Sequence, residues 1–70
     1  MDKDYLQKFA KRIKYLRKER GLTQLNLETD RISRSMISLL EIGKTDVTLS
    51  KIKALADALG VEVKELFDFE

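Results

Sequence analysis

Three glycines and no proline punctuate this chain. Gly21, Gly43 and Gly60 each follow a stretch in which apolar residues recur at helical spacing, and nothing breaks those stretches internally. A glycine just past such a stretch supplies a left-handed stop, so the pattern dictates helices joined by short turns. At 70 residues the chain has room for one hydrophobic core, near the lower size at which a core holds unaided. The expected fold is all-α, one domain over residues 1–70. With no cysteine and no histidine, disulfides, thiolate zinc sites and imidazole catalysis are excluded, and no cofactor is expected.

The first helix is expected from about Asp4 to Arg20, with Leu6, Phe9, Ile13 and Leu16 as its apolar stripe. Acidic residues open it and the Arg17–Arg20 cluster closes it, as the helix dipole favours. Leu22, after Gly21, is placed to fold back on the helix end. Thr48 can cap a later helix in which Leu49, Ile52, Leu55, Ala56 and Leu59 line one face up to Gly60. A last short helix, about Glu62 to Asp68, offers Val63, Leu66 and Phe67.

Between these lies Thr23 to Glu41, TQLNLETDRISRSMISLLE. It reads as two short helices with a tight break, capped by the hydroxyls of Thr23 and Ser33. Leu27 from the first, and Ile37 and Leu40 from the second, fall on inner faces. The same wheel turns Ser35, Ser38 and Leu39 outward, with Arg34 at the exposed first turn. This is the layout of a helix-turn-helix, whose second helix offers short polar and basic side chains to the DNA major groove.

Charge is divided unevenly. Residues 1–44 carry eleven Lys/Arg against six Asp/Glu, and residues 45–70 carry three against six. A basic front suits a polyanion, and an acidic back is free for protein contact. No apolar run approaches a membrane span, and the Met1–Asp4 start is unlike a secretory signal, so a cytoplasmic protein without membrane contact is expected. Serines and carboxylates occur without a His or Cys base or a glycine-rich phosphate loop, which argues against an enzyme.

The segments RIKYLRKERGLTQ, SRSMIS, EIGK and LADALGVEVKELF, in that order, resemble the Xre/Cro/C1-type helix-turn-helix family of phage repressors and restriction–modification controller proteins. The resemblance runs over residues 9–67. It implies a compact five-helix bundle of the lambda-repressor-like DNA-binding type. It also implies a homodimer and a partly palindromic double-stranded DNA operator; with no room for a ligand-sensing domain, no small-molecule ligand is expected. By position, Gln24 corresponds to a phosphate-contacting residue that supports a recognition side chain. Arg34, Ser35 and Ser38 correspond to groove-facing positions, and Lys44 to a backbone contact. Arg17 and Glu41, which the residues alone leave as either a pair or two solvated charges, correspond to the family's structural arginine–glutamate bridge.

Three features depart from the family pattern. The run from Gln24 to Ser33 is one residue short, and the usual glycine of the turn is absent, so that Asp30 is the candidate for a left-handed residue. Glu28 replaces an alanine expected at the helix crossing. Leu39 and Ile42, with Met36 beside them, stand at positions usually polar or basic. Such residues suit a thymine methyl or a protein contact, and a protein-interaction module that has lost DNA readout is the competing reading. At the C-terminus, Leu66, Phe67 and Phe69 crowd together beside Glu62, Glu65, Asp68 and Glu70. More apolar surface than one short helix can bury suggests a homodimer interface there.

Overall fold

Helix α1 spans Lys3–Glu19 and starts where the Asp2 carboxylate accepts the Tyr5 backbone N–H at 3.1 Å. The structure, a computed structural model, describes residues 2–69, so Met1 and Glu70 lie outside the described residues. The α1 stripe is as expected: Leu6, Phe9, Ile13 and Leu16 are buried, joined by Ala10. After α1 the Leu22 N–H returns to the Arg17 carbonyl at 3.0 Å, turning the chain at Gly21.

Helix α2 runs from Arg34 to Glu41 and α3 from Leu49 to Leu59. Their caps are the expected ones. Ser33 Oγ accepts the Met36 N–H at 3.2 Å, and Thr48 Oγ1 accepts the Lys51 N–H at 3.4 Å. The core gathers Ile13 from α1, Leu27, Ile32, Ile37 and Leu40 around α2, Leu55 from α3, and Leu66 near the end. Each such fully buried side chain is worth about 1.5–3 kcal/mol of transfer from water. Among the described residues no helix is long and apolar enough to cross a membrane.

Two of the five expected helices are instead short 3-10 turns, Leu25–Leu27 and Val63–Phe67. The first stays short because the backbone turns extended at Glu28, with ψ at 133°, where a longer helix would continue. Thr23 still acts at its start: Thr23 Oγ1 accepts the Asn26 N–H at 3.2 Å while Asn26 Oδ1 accepts the Thr23 N–H at 2.8 Å. In the second, the Glu65 carboxylate reaches back to accept the Glu62 N–H at 2.9 Å, closing one tight turn.

Asp30 is not left-handed, because no described residue other than glycine has a positive φ. The missing glycine is replaced by pairing. Thr29 donates its N–H to the Ile32 carbonyl at 2.9 Å and accepts the Ile32 N–H at 3.4 Å, enclosing Asp30 and Arg31 in a two-residue loop. Ile32 then plugs the core. Arg31 ties the loop to α3 through Asp57 at 3.2 Å, and Lys51 donates to the Arg31 carbonyl at 3.0 Å.

Leu49 is also corrected: it is 81% exposed rather than part of the inner face. Burial on α3 centres on Ala54, Leu55 and Ala56, which leaves the first residue of the helix turned to solvent. At the C-terminus Leu66 is wholly buried within its own chain. Phe67 stacks on Phe9 with ring centroids 5.1 Å apart, and Phe69 meets Tyr5 edge-on at 5.3 Å.

Candidate nucleic-acid interface

Helix α2 buries Ile37, Leu40 and Glu41 and leaves its other side outward. Arg34, Ser35, Ser38 and Leu39 all lie on that exposed side. Together with Gln24 they line one shallow depression. The structure therefore brings five of the six sequence-predicted contact residues into a single surface. The sixth, Lys44, is exposed just beyond the helix end, with its N–H bonded to the Leu39 carbonyl at 2.9 Å.

Behind this surface stands an ion pair. Arg17 donates through Nε to Glu41 Oε2 at 2.6 Å and through Nη2 to Glu41 Oε1 at 2.9 Å. Its third donor, Nη1, holds the Leu22 carbonyl at 2.8 Å. The parallel pair of bonds is the guanidinium fork on a carboxylate that only arginine can make. Hydrogen bonding to Glu41 raises the Arg17 pKa above its ordinary value and outweighs the opposing effect of burial. Arg17 comes from α1 and Glu41 from the last turn of α2, so the pair locks the outward face of α2 to the scaffold. Gln24 Nε2 donates to the same Glu41 Oε1 at 3.1 Å, which fixes the amide at the edge of the depression.

Two contributors escape sequence reading. Glu28, expected at a tight helix crossing, is exposed and caps α2 instead: its Oε2 accepts the Arg34 N–H at 3.0 Å. With Ser33 bonded to Met36, two of the free donors at the start of α2 are thus satisfied from within the chain. At the other end, Gln7 of α1 donates its amide to the Ile42 carbonyl at 3.2 Å. Gln7 lies directly over Gly43, where φ is 70° and where any Cβ would overlap the Gln7 amide. Both ends of α2 are therefore held by side chains from elsewhere in the chain. The glycine at the helix end was the only local signal for either.

Comparison with known proteins agrees with this geometry. A helix-turn-helix family profile matches residues 13–66. Over 58 residues the chain is 42% identical to an immunity repressor protein of Bacillus phage phi105, a match that takes in 81% of this chain and 40% of that protein. The chain thus spans well under half the length of this curated relative. It also superposes on the crystal structure of the restriction-modification controller protein C.AhdI from Aeromonas hydrophila. There the TM-score is 0.83 and the identity 40%, covering 89% of this chain and 96% of that one. The matched stretch includes Arg17, Gln24, Glu28 and the whole of α2, and the chain belongs to the Xre-type helix-turn-helix family.

Proposed function

We propose that the chain is a sequence-specific double-stranded DNA-binding transcriptional regulator, a repressor or controller protein, acting as a homodimer on a partly palindromic operator. The observation that carries this reading is the convergence of Gln24, Arg34, Ser35, Ser38 and Leu39 on one exposed depression along α2. A recognition helix must present short polar side chains and a basic group at its first turn, and α2 does so while its other side is locked into the core. Lys44 and Gln24 flank it as phosphate contacts, which fix register, while the α2 side chains read bases. The likeness to a phage repressor and to a restriction-modification controller protein supports the same reading.

Selection of bound duplexes from a random pool, followed by footprinting and a salt titration, tests it. The expected result is a two-fold-related sequence protected over both half-sites, with affinity falling steeply as salt rises through counterion release. Failure to enrich any duplex, or binding indifferent to salt, would instead favour an interaction module that keeps the fold without DNA readout.

A further inference from the structure

Leu39 forms the one apolar wall of the depression that Gln24, Arg34, Ser35 and Ser38 otherwise line. Two occupants suit such a residue, a base methyl group or an apolar protein partner, and its surroundings separate them. Met36, which would have extended an apolar patch along α2, packs on the core. Ile42 is exposed but does not line the depression, and it follows the last residue of α2. Leu39 is left 44% exposed among two hydroxyls, an amide and a guanidinium. Protein-docking patches are contiguous apolar areas of about several hundred Å², whereas the depression is lined by four polar residues with Leu39 as its single apolar one. The edge of a base pair in the major groove has the same character: donors and acceptors, and one apolar group, the 5-methyl of thymine.

We infer that Leu39 takes a pyrimidine 5-methyl group in the major groove and so determines part of the operator sequence. The inference rests on the DNA-binding reading above and adds the chemistry of one base position to it. Arg34, five residues or about 1.4 helical turns before Leu39, supplies donors suited to guanine O6 and N7, so the depression specifies a guanine and a methylated pyrimidine within a few base pairs of each other. The partial exposure of Leu39 means that truncating it removes a contact without opening the core.

The test uses duplexes selected from a random pool by the wild-type chain. Each thymine is replaced singly by deoxyuridine, which deletes the methyl group and changes no hydrogen bond. One position per half-site is expected to lose about fourfold in affinity, the equivalent of one buried methyl. In Leu39→Ala, with unchanged thermal unfolding, the same replacement should cost nothing. A second arm places cytosine or 5-methylcytosine, opposite guanine, at that position. Tighter binding of the methylated form by wild type and not by Leu39→Ala extends the assignment to both pyrimidines, and equal binding of the two forms assigns it to thymine. If wild type and Leu39→Ala respond alike at every thymine of a duplex that both bind, the inference is overturned while the DNA reading stands. If no duplex is selected at all, the DNA reading itself falls, and this inference with it.

Discussion

Gln24 and Arg17 donate to the same oxygen of Glu41, at 3.1 and 2.9 Å. A surface amide is thereby joined through one carboxylate to a guanidinium buried between α1 and α2. The link couples the stability of the core to the placement of a candidate phosphate contact, and it defines what substitutions at each point should do.

Arg17→Ala strands Glu41, whose side chain is only 2% exposed, without its cation. Removing one partner of a buried pair costs about 3–5 kcal/mol. A chain of this size is expected to be stable by only about 4–10 kcal/mol, so much of the margin would go. Thermal unfolding without DNA should shift sharply downward. Gln24→Ala, which leaves the bridge intact, should barely move the melting temperature while weakening DNA binding. The assignment fails if Arg17→Ala melts like wild type.

Arg34 forms no ion pair among the described residues, and its backbone N–H is anchored by Glu28, so its guanidinium is free to reach outward. Arg34→Ala should lose about 1–3 kcal/mol on a selected duplex and relax preference at one base pair. Affinities for selected and random DNA measured at one salt concentration decide the point. Equal losses on both would make Arg34 a phosphate contact rather than a base reader.

Gly43 combines a left-handed backbone with the overlying Gln7 amide. Alanine there meets two separate obstacles: about 1–2 kcal/mol for its backbone conformation, and the displacement of Gln7. A double-mutant cycle separates them by chemical unfolding. Gln7→Ala should relieve the second part, so Gly43→Ala is expected to cost less in the Gln7→Ala background than in wild type. Additive losses would mean that Gln7 moves aside freely and exerts no hold on the end of α2.

What the sequence revealed and what it concealed divide along one physical line. Ile13, Leu27, Ile37 and Leu40 are buried as their helical spacing demands, and the three glycine stops all have positive φ, because period and caps are local properties. The outward set Arg34, Ser35, Ser38 and Leu39 follows from the same wheel. The role of Glu28 was hidden because it depends on an extended step that no helical pattern encodes. Gln7 was hidden because its partner, the Ile42 carbonyl, lies 35 residues away. The first helix of the motif shrank to a 3-10 turn for a related reason: Thr23 and Asn26 close a turn on each other, and the chain must then extend for Glu28 to reach Arg34.

Asp57 gives a prediction for acid. Hydrogen bonds from Lys53 at 2.8 Å and Arg31 at 3.2 Å hold its carboxyl below the usual value. A carboxyl whose folded value is depressed contributes stability that is present above its unfolded value, about pH 3.9, and is lost as pH falls through the folded one. The pair is exposed, so the effect should be small and weakened by salt. Melting of wild type and Asp57→Asn is therefore expected to differ at neutral pH and to converge toward pH 2. A gap that stays constant, or widens in acid, would assign the difference to another cause.

The proposed homodimer is predicted to pair through the C-terminal aromatic end, where the residues are unequally placed to take part. Leu66 is buried in its own chain and Phe67 stacks on Phe9, so neither can be charged without damaging the core. Phe69 is partly buried against the core, but its ring meets edge-on a Tyr5 ring that is 50% exposed, and together they are the aromatic surface proposed to meet a partner. Two-fold pairing at this end leaves the α2 faces clear and can set them about 34–36 Å apart, one turn of DNA. Phe69→Asp charges this surface at a residue only partly buried against the core, and thermal unfolding of the variant checks that it still folds. Sedimentation equilibrium at micromolar concentration should give a dimer for wild type and a folded monomer for Phe69→Asp, with weaker binding of the variant to a two-half-site duplex. A wild type that stays monomeric under those conditions, or a folded Phe69→Asp that remains dimeric, removes this interface from consideration.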